Sequence, residues 1–233
     1  MKLLLISNST NAGEAYLEYP MPRIAEFLQG VQTLAFVPYA AVTFSYDEYE
    51  RKVRRRFEPL GIRVESVHRA KNPVAAIRQA DAVCVGGGNT FALARKMQQQ
   101  GLMQAIRRKI VSGAPYVGWS AGSNVCCPTI CTTNDMPIVQ PESFRALGAV
   151  KFQINPHYLD ANPAGHAGET REQRILEYIE ANPRRYAVGL REGCMLRYED
   201  GRLELIGPRP MRIFKKGMEP CEVNAGDDLS FLL

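Results

Sequence analysis

Residues 118–122, with the sequence GWSAG, place Ser120 between two glycines in a G-x-S-x-G spacing. This spacing is typical of a nucleophile elbow, in which the serine lies on a strained turn between a strand and a helix, where bulky neighbours would clash. The apolar residues 114–119 predict the strand, and residues 121–127 predict the beginning of the helix. A glycine-rich turn that only packs a helix against a sheet has the same pattern, so the motif alone leaves both interpretations open.

A serine hydroxyl becomes a nucleophile only when a base lies within hydrogen-bond reach. The sequence contains three histidines, His68, His157 and His166. His157 belongs to the rigid turn sequence NPHY after a predicted strand and is the stronger candidate for the base. His68 ends another predicted strand and is the weaker candidate.

A catalytic histidine also needs a carboxylate that orients its ring and stabilises its cation. Glu192 follows the predicted strand 187–190 and is well placed at a strand end. Asp135 lies in the polar loop 132–137 and is the alternative. Either residue can instead be an ordinary surface acid, and the sequence does not decide between them.

The glycine-rich segment 86–90, GGGNT, follows directly on another predicted strand. It lacks the lysine of a phosphate-binding P-loop and the spacing of a dinucleotide fingerprint. The alternative is an oxyanion hole, in which the backbone amides of Gly88 and Ala121 bind a developing negative oxygen.

Arg171 lies in the first turn of a predicted helix, because Thr170 and Gln173 have the spacing of a capping box. A cation at this end opposes the helix dipole. The position suggests a carboxylate partner that a guanidinium can bind in bidentate fashion. An exposed arginine surrounded by water is the competing interpretation.

The surrounding pattern predicts an α/β protein, since strand-like and helical segments alternate over the first 120 residues. Strands are predicted over 2–7, 33–37, 63–67, 81–85 and 114–119, and helices over 20–30, 45–60, 73–80, 91–100 and 102–112. This alternation predicts a mostly parallel sheet that is covered on both faces. Because the carboxyl ends of parallel strands share one edge, Ser120, the glycine segment, His157 and Glu192 are expected to converge there.

The C-terminal third has a different pattern of short strands separated by turns. A strand is predicted over 151–154, a helix over 169–180, and further strands over 187–190, 195–198, 203–206 and 211–214. We expect these strands to add antiparallel pairs to the edge of the main sheet. The length of 233 residues fits a single catalytic domain over residues 1–233.

Composition narrows the class of protein further. The chain is 45% hydrophobic and 23% charged, with a net charge of +5, and its basic runs at 51–56 and 107–109 lie on predicted helices with acidic neighbours. These runs are expected to be solvated helix faces rather than a nucleic-acid surface. The start MKLLLISNST is too short for a signal peptide, and no apolar run is long enough to span a membrane. We therefore expect a cytoplasmic protein whose six cysteines are free thiols and bind no metal.

Several of these stretches resemble the peptidase E family, the α-aspartyl dipeptidases among the serine peptidases. The matching segments extend over most of the chain to about residue 195, and together they are far more specific than the G-x-S-x-G motif alone. They are LLLISNST at the start, VGGGNTF at 85–91, GWSAGSN at 118–124, PTICTTNDMPIV at 128–139, QINPHY at 153–158 and GHAGETREQRI at 165–175.

The resemblance implies a flavodoxin-like, three-layer fold related to glutamine amidotransferases, and removal of N-terminal aspartate from dipeptides without metal or cofactor. It implies Ser120 as nucleophile and His157 as base, and it matches both Glu192 and Asp135 to acids assigned to the relay. Arg171 matches the arginine that binds the aspartate side chain. The residues that match the lining of that pocket are Asn89, Thr133, Asn134 and His166. We expect a monomer or homodimer that binds neither nucleic acid nor membranes.

Two other functions share these residues. A relative that cuts aspartyl polymers of the cyanophycin type would use the same serine and histidine but needs an open groove for a long chain. A non-catalytic metabolite-binding protein of the same fold would use the glycine segment 86–88 and leave Ser120 inactive.

Overall fold

The computed structural model describes residues 1–162, 165 and 167–233. In the first half of the chain the order is β1 (Lys2–Ile6), α1 (Met21–Phe27), β2 (Thr33–Val37), α2 (Tyr46–Phe57), β3 (Arg63–Ser66), α3 (Pro73–Gln79), β4 (Ala82–Val85), α4 (Thr90–Gln99), α5 (Leu102–Val111), β5 (Pro115–Trp119) and α6 (Ala121–Asn124). The second half contains β6 (Gln153–Tyr158), α7 (Arg171–Ala181), β7 (Tyr186–Arg191), β8 (Met195–Glu199), β9 (Arg202–Ile206), β10 (Met211–Lys215) and β11 (Met218–Val223).

The larger sheet has seven strands in the order β3-β2-β4-β5-β1-β8-β9. The first five strands are parallel, whereas β8 is antiparallel to β1 and β9 is antiparallel to β8. This arrangement confirms the predicted α/β class, with a mostly parallel central sheet and antiparallel C-terminal strands at its edge. The carboxyl ends of β1, β4 and β5 lie side by side, which places the segments that follow them at one edge of the sheet.

Helices cover both faces of this sheet, because its central strands are apolar on both sides. Leu3 and Leu5 of β1 belong to the core that α3, α4 and α5 cover. Leu4 and Ile6 point the other way, into the core beneath α1 and α2. The alternation of side chains along β1 thus produces the three layers that were expected for a flavodoxin-like fold.

A second sheet corrects part of the sequence-based prediction. It contains four strands in the order β11-β10-β7-β6, in which β6 and β7 are parallel and the remaining pairs are antiparallel. The strands predicted over 187–190 and 211–214 are present, and the one predicted over 151–154 is β6, which begins at Gln153 and continues through the predicted turn NPHY to Tyr158. These three strands do not extend the edge of the main sheet. Only β8 and β9 do so among the strands predicted in the C-terminal third. Strand β11 was not predicted, because it lies at the sheet edge, is largely exposed and contains a proline.

The burial of β7 explains why a separate sheet forms. Val188 and Leu190 belong to the core that is shared with the main sheet. Ala187 faces the opposite way and packs with Phe214 and Ile175 beneath α7. A strand with two apolar faces requires a layer on each side, and the main core and α7 provide these two layers.

Two helical segments are clearly shorter than the sequence pattern suggested. The helix predicted over 20–30 spans Met21–Phe27, and the predicted segment 121–127 contains only the turn Ala121–Asn124. Among the described residues the longest helix is α2, with 12 residues. None of the helices in this part of the chain has both the length and the apolar composition that crossing a bilayer requires.

Arg191, the last residue of β7, connects the second sheet to its surroundings. Its side chain is only 7% exposed and bonds two carboxylates, those of Asp160 and Glu222. The Arg191 Nε lies 2.9 Å from Asp160, and two further nitrogens lie 2.7 and 2.8 Å from the oxygens of Glu222. Hydrogen bonds from Arg191 lower the pKa of both carboxyl groups below their usual values. The guanidinium therefore fixes the end of the strand that precedes Glu192.

We expect Arg191→Met to lower the free energy of unfolding at pH 7 by about 1–3 kcal/mol, because charge-assisted hydrogen bonds are lost while the part-exposed carboxylates can still be hydrated. The lowered carboxyl pKa values stabilise the fold above the unfolded pKa, and this contribution is lost as the pH falls through the folded pKa. The difference in the free energy of unfolding between wild type and variant, measured by urea denaturation, should therefore shrink from pH 7 to pH 3. A difference that stays constant over this pH range would show that Arg191 does not stabilise the fold through these two carboxylates.

Candidate active site

Ser120 lies on the tight turn between β5 and α6, with φ 53° and ψ −115°. Its amide donates a hydrogen bond of 3.0 Å to the carbonyl of Ile6 in the neighbouring strand. The flanking glycines are required by close backbone contacts: a Cβ at Gly122 would lie 2.0 Å from the Val85 carbonyl oxygen, and one at Gly118 would lie 2.5 Å from the Gly122 oxygen. The turn therefore has the strained, tightly packed geometry of a nucleophile elbow.

His157 lies between Ser120 and Glu192. Its Nε2 is 3.0 Å from Ser120 Oγ, and its Nδ1 is 2.7 Å from Glu192 Oε1. The residue has φ 53°, and the pairing of β6 with β7 shifts register between Pro156 and Tyr158. This irregularity in the strand sets His157 out of the regular pairing. A serine, an imidazole and a carboxylate in this order can transfer a proton from the hydroxyl to the ring.

The segment Gly86–Gly88 packs against the same serine. A Cβ at Gly87 would lie 2.9 Å from Ser120 Cβ, and Gly88 has φ 132°, with the Ala40 carbonyl in the place of a side chain. Within the described residues, neither the Gly88 amide nor the Ala121 amide donates a hydrogen bond to the protein. Two free backbone donors close to a serine are the components of an oxyanion hole.

Asp135 has a different environment from Glu192. Its carboxylate accepts a hydrogen bond of 2.7 Å from the Thr90 amide at the beginning of α4, and one of 3.0 Å from the Thr133 hydroxyl. It therefore stabilises the N-terminus of a helix, where a negative charge is favourable. Of the two acids that the sequence left open, only Glu192 contacts His157 in the described structure.

Asn89 and Asn134 attach the loop after α6 to the site. Asn89 caps α4, since its side-chain oxygen accepts from the Ala92 amide at 3.0 Å, and its nitrogen donates to the Met136 carbonyl at 2.9 Å. Asn134 donates to the Pro156 carbonyl at 2.6 Å, immediately before His157 in the chain. These two residues thus lie beside the catalytic candidates, and their side-chain groups hold the loop in place.

Arg171 is the first residue of α7 and is half-buried. The capping box is present, with the Thr170 hydroxyl accepting from the Gln173 amide and the Gln173 side chain accepting from the Thr170 amide. Burial lowers the pKa of the Arg171 guanidinium, the charge of Arg174 lowers it further, and Asp135 acts in the opposite direction. No side-chain hydrogen bond or ion pair joins the Arg171 guanidinium to another residue of the described part of the chain. His166, the remaining predicted pocket residue, lies outside the described residues.

Comparison with known proteins identifies the family of this chain. The model of peptidase family S51 matches residues 3–206. The chain belongs to peptidase family S51. The S51 peptidase is 49% identical over 233 residues to peptidase E of a Nostoc species, covering 100% of this chain and 96% of that protein. It is 46% identical to peptidase E of Salmonella newport, covering 97% and 99% of the two chains.

Solved structures share the fold at lower identity. A crystal structure of a peptidase from an acI-B1 Actinobacterium superposes with a TM-score of 0.73 and 18% identity, over 99% of this chain and 96% of that one. A peptidase E-like protein from Listeria monocytogenes superposes with a TM-score of 0.66 and 23% identity, over 89% and 98%. These two structures support the fold alone, whereas the family membership makes the S51 protein a peptidase and therefore a hydrolase.

Other groups that can carry chemistry are occupied elsewhere. His68, the weaker base candidate, contacts Ser66 Oγ at 2.6 Å and Asp47 at 2.8 Å. Asp47 and His68 converge with Glu50 in a geometry that a metal ion can use. Arg69, however, already pairs with the carboxylates of Asp47 and Glu50, so their negative charge is compensated without a metal ion.

The cysteines of the S51 peptidase are free thiols in the structure, and four of the six are buried: Cys84, Cys126, Cys127 and Cys194. Burial raises the pKa of the Cys126 and Cys84 thiols well above the usual value. Metal binding requires the thiolate, so these buried groups are poor ligands.

Ser7 and Asn8 are two site residues that the sequence analysis missed. The Ser7 hydroxyl accepts from the His157 amide at 2.9 Å and donates to the Leu190 carbonyl at 2.7 Å. The Asn8 side-chain oxygen accepts from the Gly193 amide at 2.8 Å, next to Glu192. Both residues are buried directly after the apolar strand β1. A polar pair in this position was the available signal, since buried polar groups need partners.

We expect Ser7→Ala to lower the free energy of unfolding of the S51 peptidase by about 2–4 kcal/mol, because two buried backbone groups lose their partner. Urea denaturation measures this change. Ser112→Ala is the matched control, since the Ser112 hydroxyl donates to the Lys109 carbonyl at an exposed helix end. The control should change the free energy by less than about 0.5 kcal/mol. Equal effects of the two substitutions would show that Ser7 does not connect the two sheets.

Proposed function

We propose that this S51 peptidase is a serine dipeptidase that hydrolyses dipeptides with N-terminal aspartate. The observation that carries the proposal is the row of hydrogen bonds from Ser120 through His157 to Glu192, with lengths of 3.0 and 2.7 Å. The relatives named peptidase E, together with the sequence motifs, support the aspartyl specificity. Arg171 provides the positive charge that such a substrate requires.

In the first half of the reaction, Ser120 Oγ attacks the carbonyl carbon of the aspartyl residue while His157 Nε2 takes the hydroxyl proton. The carbonyl oxygen becomes an oxyanion, which the amides of Gly88 and Ala121 stabilise. The tetrahedral intermediate then collapses, the C–N bond breaks, and His157 gives its proton to the leaving amine. An aspartyl ester on Ser120 remains.

In the second half, His157 takes a proton from a water molecule, which attacks the ester carbonyl. The second tetrahedral intermediate expels Ser120, which recovers its proton from His157, and aspartate leaves. The scheme uses side chains and backbone amides alone, so it requires neither metal nor cofactor. We expect the enzyme to act in the cytoplasm on small peptides, as a monomer or homodimer.

Glu192 has the role of the orienting acid in this proposal. A carboxylate that accepts from Nδ1–H leaves Nε2 unprotonated and facing the serine, and it stabilises the imidazolium that forms during the attack. Asp135 lacks this contact, because its carboxylate is bonded to the Thr90 amide and the Thr133 hydroxyl. Its negative charge instead acts on Arg171.

Arg171 is the specificity residue in this proposal. Its guanidinium is half-buried at the beginning of α7, where the helix dipole also opposes a positive charge. A substrate carboxylate compensates this cost and forms charge-assisted hydrogen bonds. A neutral amide of the same shape leaves the cation without compensation, so the difference between Asp-X and Asn-X is largest at this contact.

The test of the proposed function is a substrate panel of Asp-X, Asn-X, Glu-X and N-acetyl-Asp-X dipeptides. For the wild type we expect kcat/KM for Asp-X to exceed that for Asn-X by about 100-fold or more, because a partly desolvated charge pair is worth several kcal/mol. Arg171→Ala should reduce this ratio to below about tenfold, with most of the loss on the Asp-X side. Initial rates of amine release measure both values.

Arg174→Ala is the matched control, since it removes a positive charge from the same helix at a side chain that is 55% exposed and only 3.7 Å from Glu169. Although the charge of Arg174 acts on Arg171, this exposed side chain is largely hydrated, so its removal should change the ratio by less than about threefold. Ser120→Ala should abolish turnover of every substrate. If Arg171→Ala retained the wild-type ratio, the aspartyl specificity would be wrong. Turnover by Ser120→Ala would exclude the serine mechanism as well.

A second comparison decides between the two acids. We expect Glu192→Gln to lower kcat by at least about 100-fold, because an amide can hold the imidazole in the wrong tautomer and cannot stabilise its cation. Asp135→Asn retains an acceptor for the Thr90 amide, so its kcat should stay within about tenfold of the wild type. Steady-state kinetics on Asp-X measures both. The reverse order of effects would transfer the role to Asp135.

A further inference from the structure

The hydroxyl of Tyr49 extends from α2 into the glycine segment beside Ser120. It donates a hydrogen bond of 2.9 Å to the Gly87 carbonyl and accepts one of 3.1 Å from Trp119 Nε1. An indole N–H can only donate, so the phenolic proton is directed to Gly87. Burial raises the pKa of Tyr49 to about 12, and the hydroxyl therefore keeps its proton at neutral pH.

The bond from Tyr49 fixes more than a carbonyl group. The Gly87 C=O and the Gly88 N–H belong to the same peptide unit, which is planar, and in a trans peptide these two groups point in opposite directions. Holding the carbonyl toward α2 therefore determines the direction of the Gly88 N–H. Three consecutive glycines have little conformational preference of their own, so this peptide plane needs an anchor outside the segment.

We propose that Tyr49 is a positioning residue for the oxyanion hole, which it sets by holding the peptide unit between Gly87 and Gly88 in one orientation. The inference rests on the proposed function, in which the Gly88 amide is one of the two donors to the oxyanion. Tyr49 touches neither substrate nor oxyanion in this scheme. It acts through the backbone, and its effect on catalysis is the preorganisation of a dipole before charge develops.

The side chain of Tyr49 is itself held firmly enough for this role. It is 3% exposed, and its ring packs edge-on against Phe36 and Phe44, at centroid distances of 5.0 and 5.3 Å. A Cβ at Gly86 would lie 2.5 Å from the phenolic oxygen, so the ring and the glycine segment are in direct contact. The missing side chain at residue 86 thus allows the hydroxyl to reach the next carbonyl.

Tyr49 also connects the two parts of the site. Trp119, which donates to the phenolic oxygen, is the last residue of β5 and directly precedes Ser120 in the chain. Gly87 follows β4. One hydroxyl therefore joins the strand end that precedes the nucleophile to the strand end that precedes an oxyanion donor. Its two hydrogen bonds limit how far these strand ends can move relative to each other.

The test compares Tyr49→Phe with Tyr39→Phe in the full-length enzyme. Tyr39 is a suitable control because it is also buried, at 1% exposed, and packs against Tyr46 of α2, the helix that carries Tyr49. Its hydroxyl donates a hydrogen bond of 2.6 Å to the Gln100 side chain. For Tyr49→Phe we expect kcat on Asp-X to fall about 10- to 100-fold, less than the loss of about 100- to 1,000-fold for removal of an oxyanion donor itself. KM should stay within about twofold, since the hydroxyl does not contact bound substrate.

A second measurement separates positioning from loss of stability. An aspartyl aldehyde forms a hemiacetal with Ser120 whose oxygen occupies the oxyanion hole, so its inhibition constant should rise in parallel with the fall in kcat. The thermal midpoints of Tyr49→Phe and Tyr39→Phe should be similar. Equal losses of kcat in both variants, or an unchanged aldehyde affinity in Tyr49→Phe, would overturn the inference.

The inference can also be tested separately from the substrate assignment. A fluorophosphonate reacts when Ser120 Oγ bonds to phosphorus, His157 takes the hydroxyl proton and fluoride leaves. The phosphoryl oxygen uses the same backbone donors, and no aspartyl group is needed. The labelling rate of Tyr49→Phe should be about 10-fold or more below that of the wild type and of Tyr39→Phe. A wild type that is labelled but does not cleave Asp-X would refute the proposed function alone, whereas equal labelling rates would refute the role of Tyr49.

Discussion

The relative position of the two sheets is the constraint on which the site depends, because the candidate nucleophile and its base come from different sheets. Ser120 directly follows a strand of the main sheet, whereas His157 belongs to the second sheet and Glu192 to the turn after its strand β7. A separation of 3.0 Å between hydroxyl and imidazole leaves little room for sliding of one sheet over the other. The sheets share a close-packed core through Val188 and Leu190, and such packing resists sliding.

The end of β1 provides the directional part of this constraint. The Ile6 carbonyl accepts from the Ser120 amide, and the hydroxyl of the next residue, Ser7, accepts from the His157 amide. Ser120 and His157 both have φ 53°, a region that costs of order 1–3 kcal/mol for a residue with a side chain. Ile6, the last residue of β1, and Ser7, which directly follows it, thus hold the two strained positions, and the same contacts help to set the distance between the hydroxyl and the ring.

The sequence was informative where a feature is local and less so where it depends on pairing. The elbow at Ser120 follows from glycine spacing, and the helix that begins at Arg171 follows from the Thr170 and Gln173 capping box, so both were predictable. The main sheet followed from the alternation of strands and helices. The separate second sheet did not, because the residues of β7 show that it is buried but not which strand lies beside it.

The sequence could not decide between Glu192 and Asp135 for the same reason, because the answer depends on strand pairing. Both acids lie in plausible positions along the chain, and only the parallel pairing of β6 with β7 brings one of them to His157 Nδ1. Ser7 and Tyr49 were missed for a related reason. A serine after an apolar strand and a tyrosine in an amphipathic helix are common, and their importance comes from backbone groups that lie far away in the sequence.

The charge of Arg171 connects this architecture to the proposed specificity. Its burial, the dipole of α7 and the neighbouring Arg174 all disfavour the cation. Asp135 compensates only in part, since its Oδ2 already accepts from the Thr90 amide and the Thr133 hydroxyl. The same loop residue therefore stabilises the N-terminus of α4 and moderates the field around Arg171. In the proposed function a substrate carboxylate completes the compensation, so the ligand that brings the missing negative charge is expected to bind most strongly. The proposal thus attributes discrimination to the electrostatic state of the free enzyme rather than to the shape of a pocket.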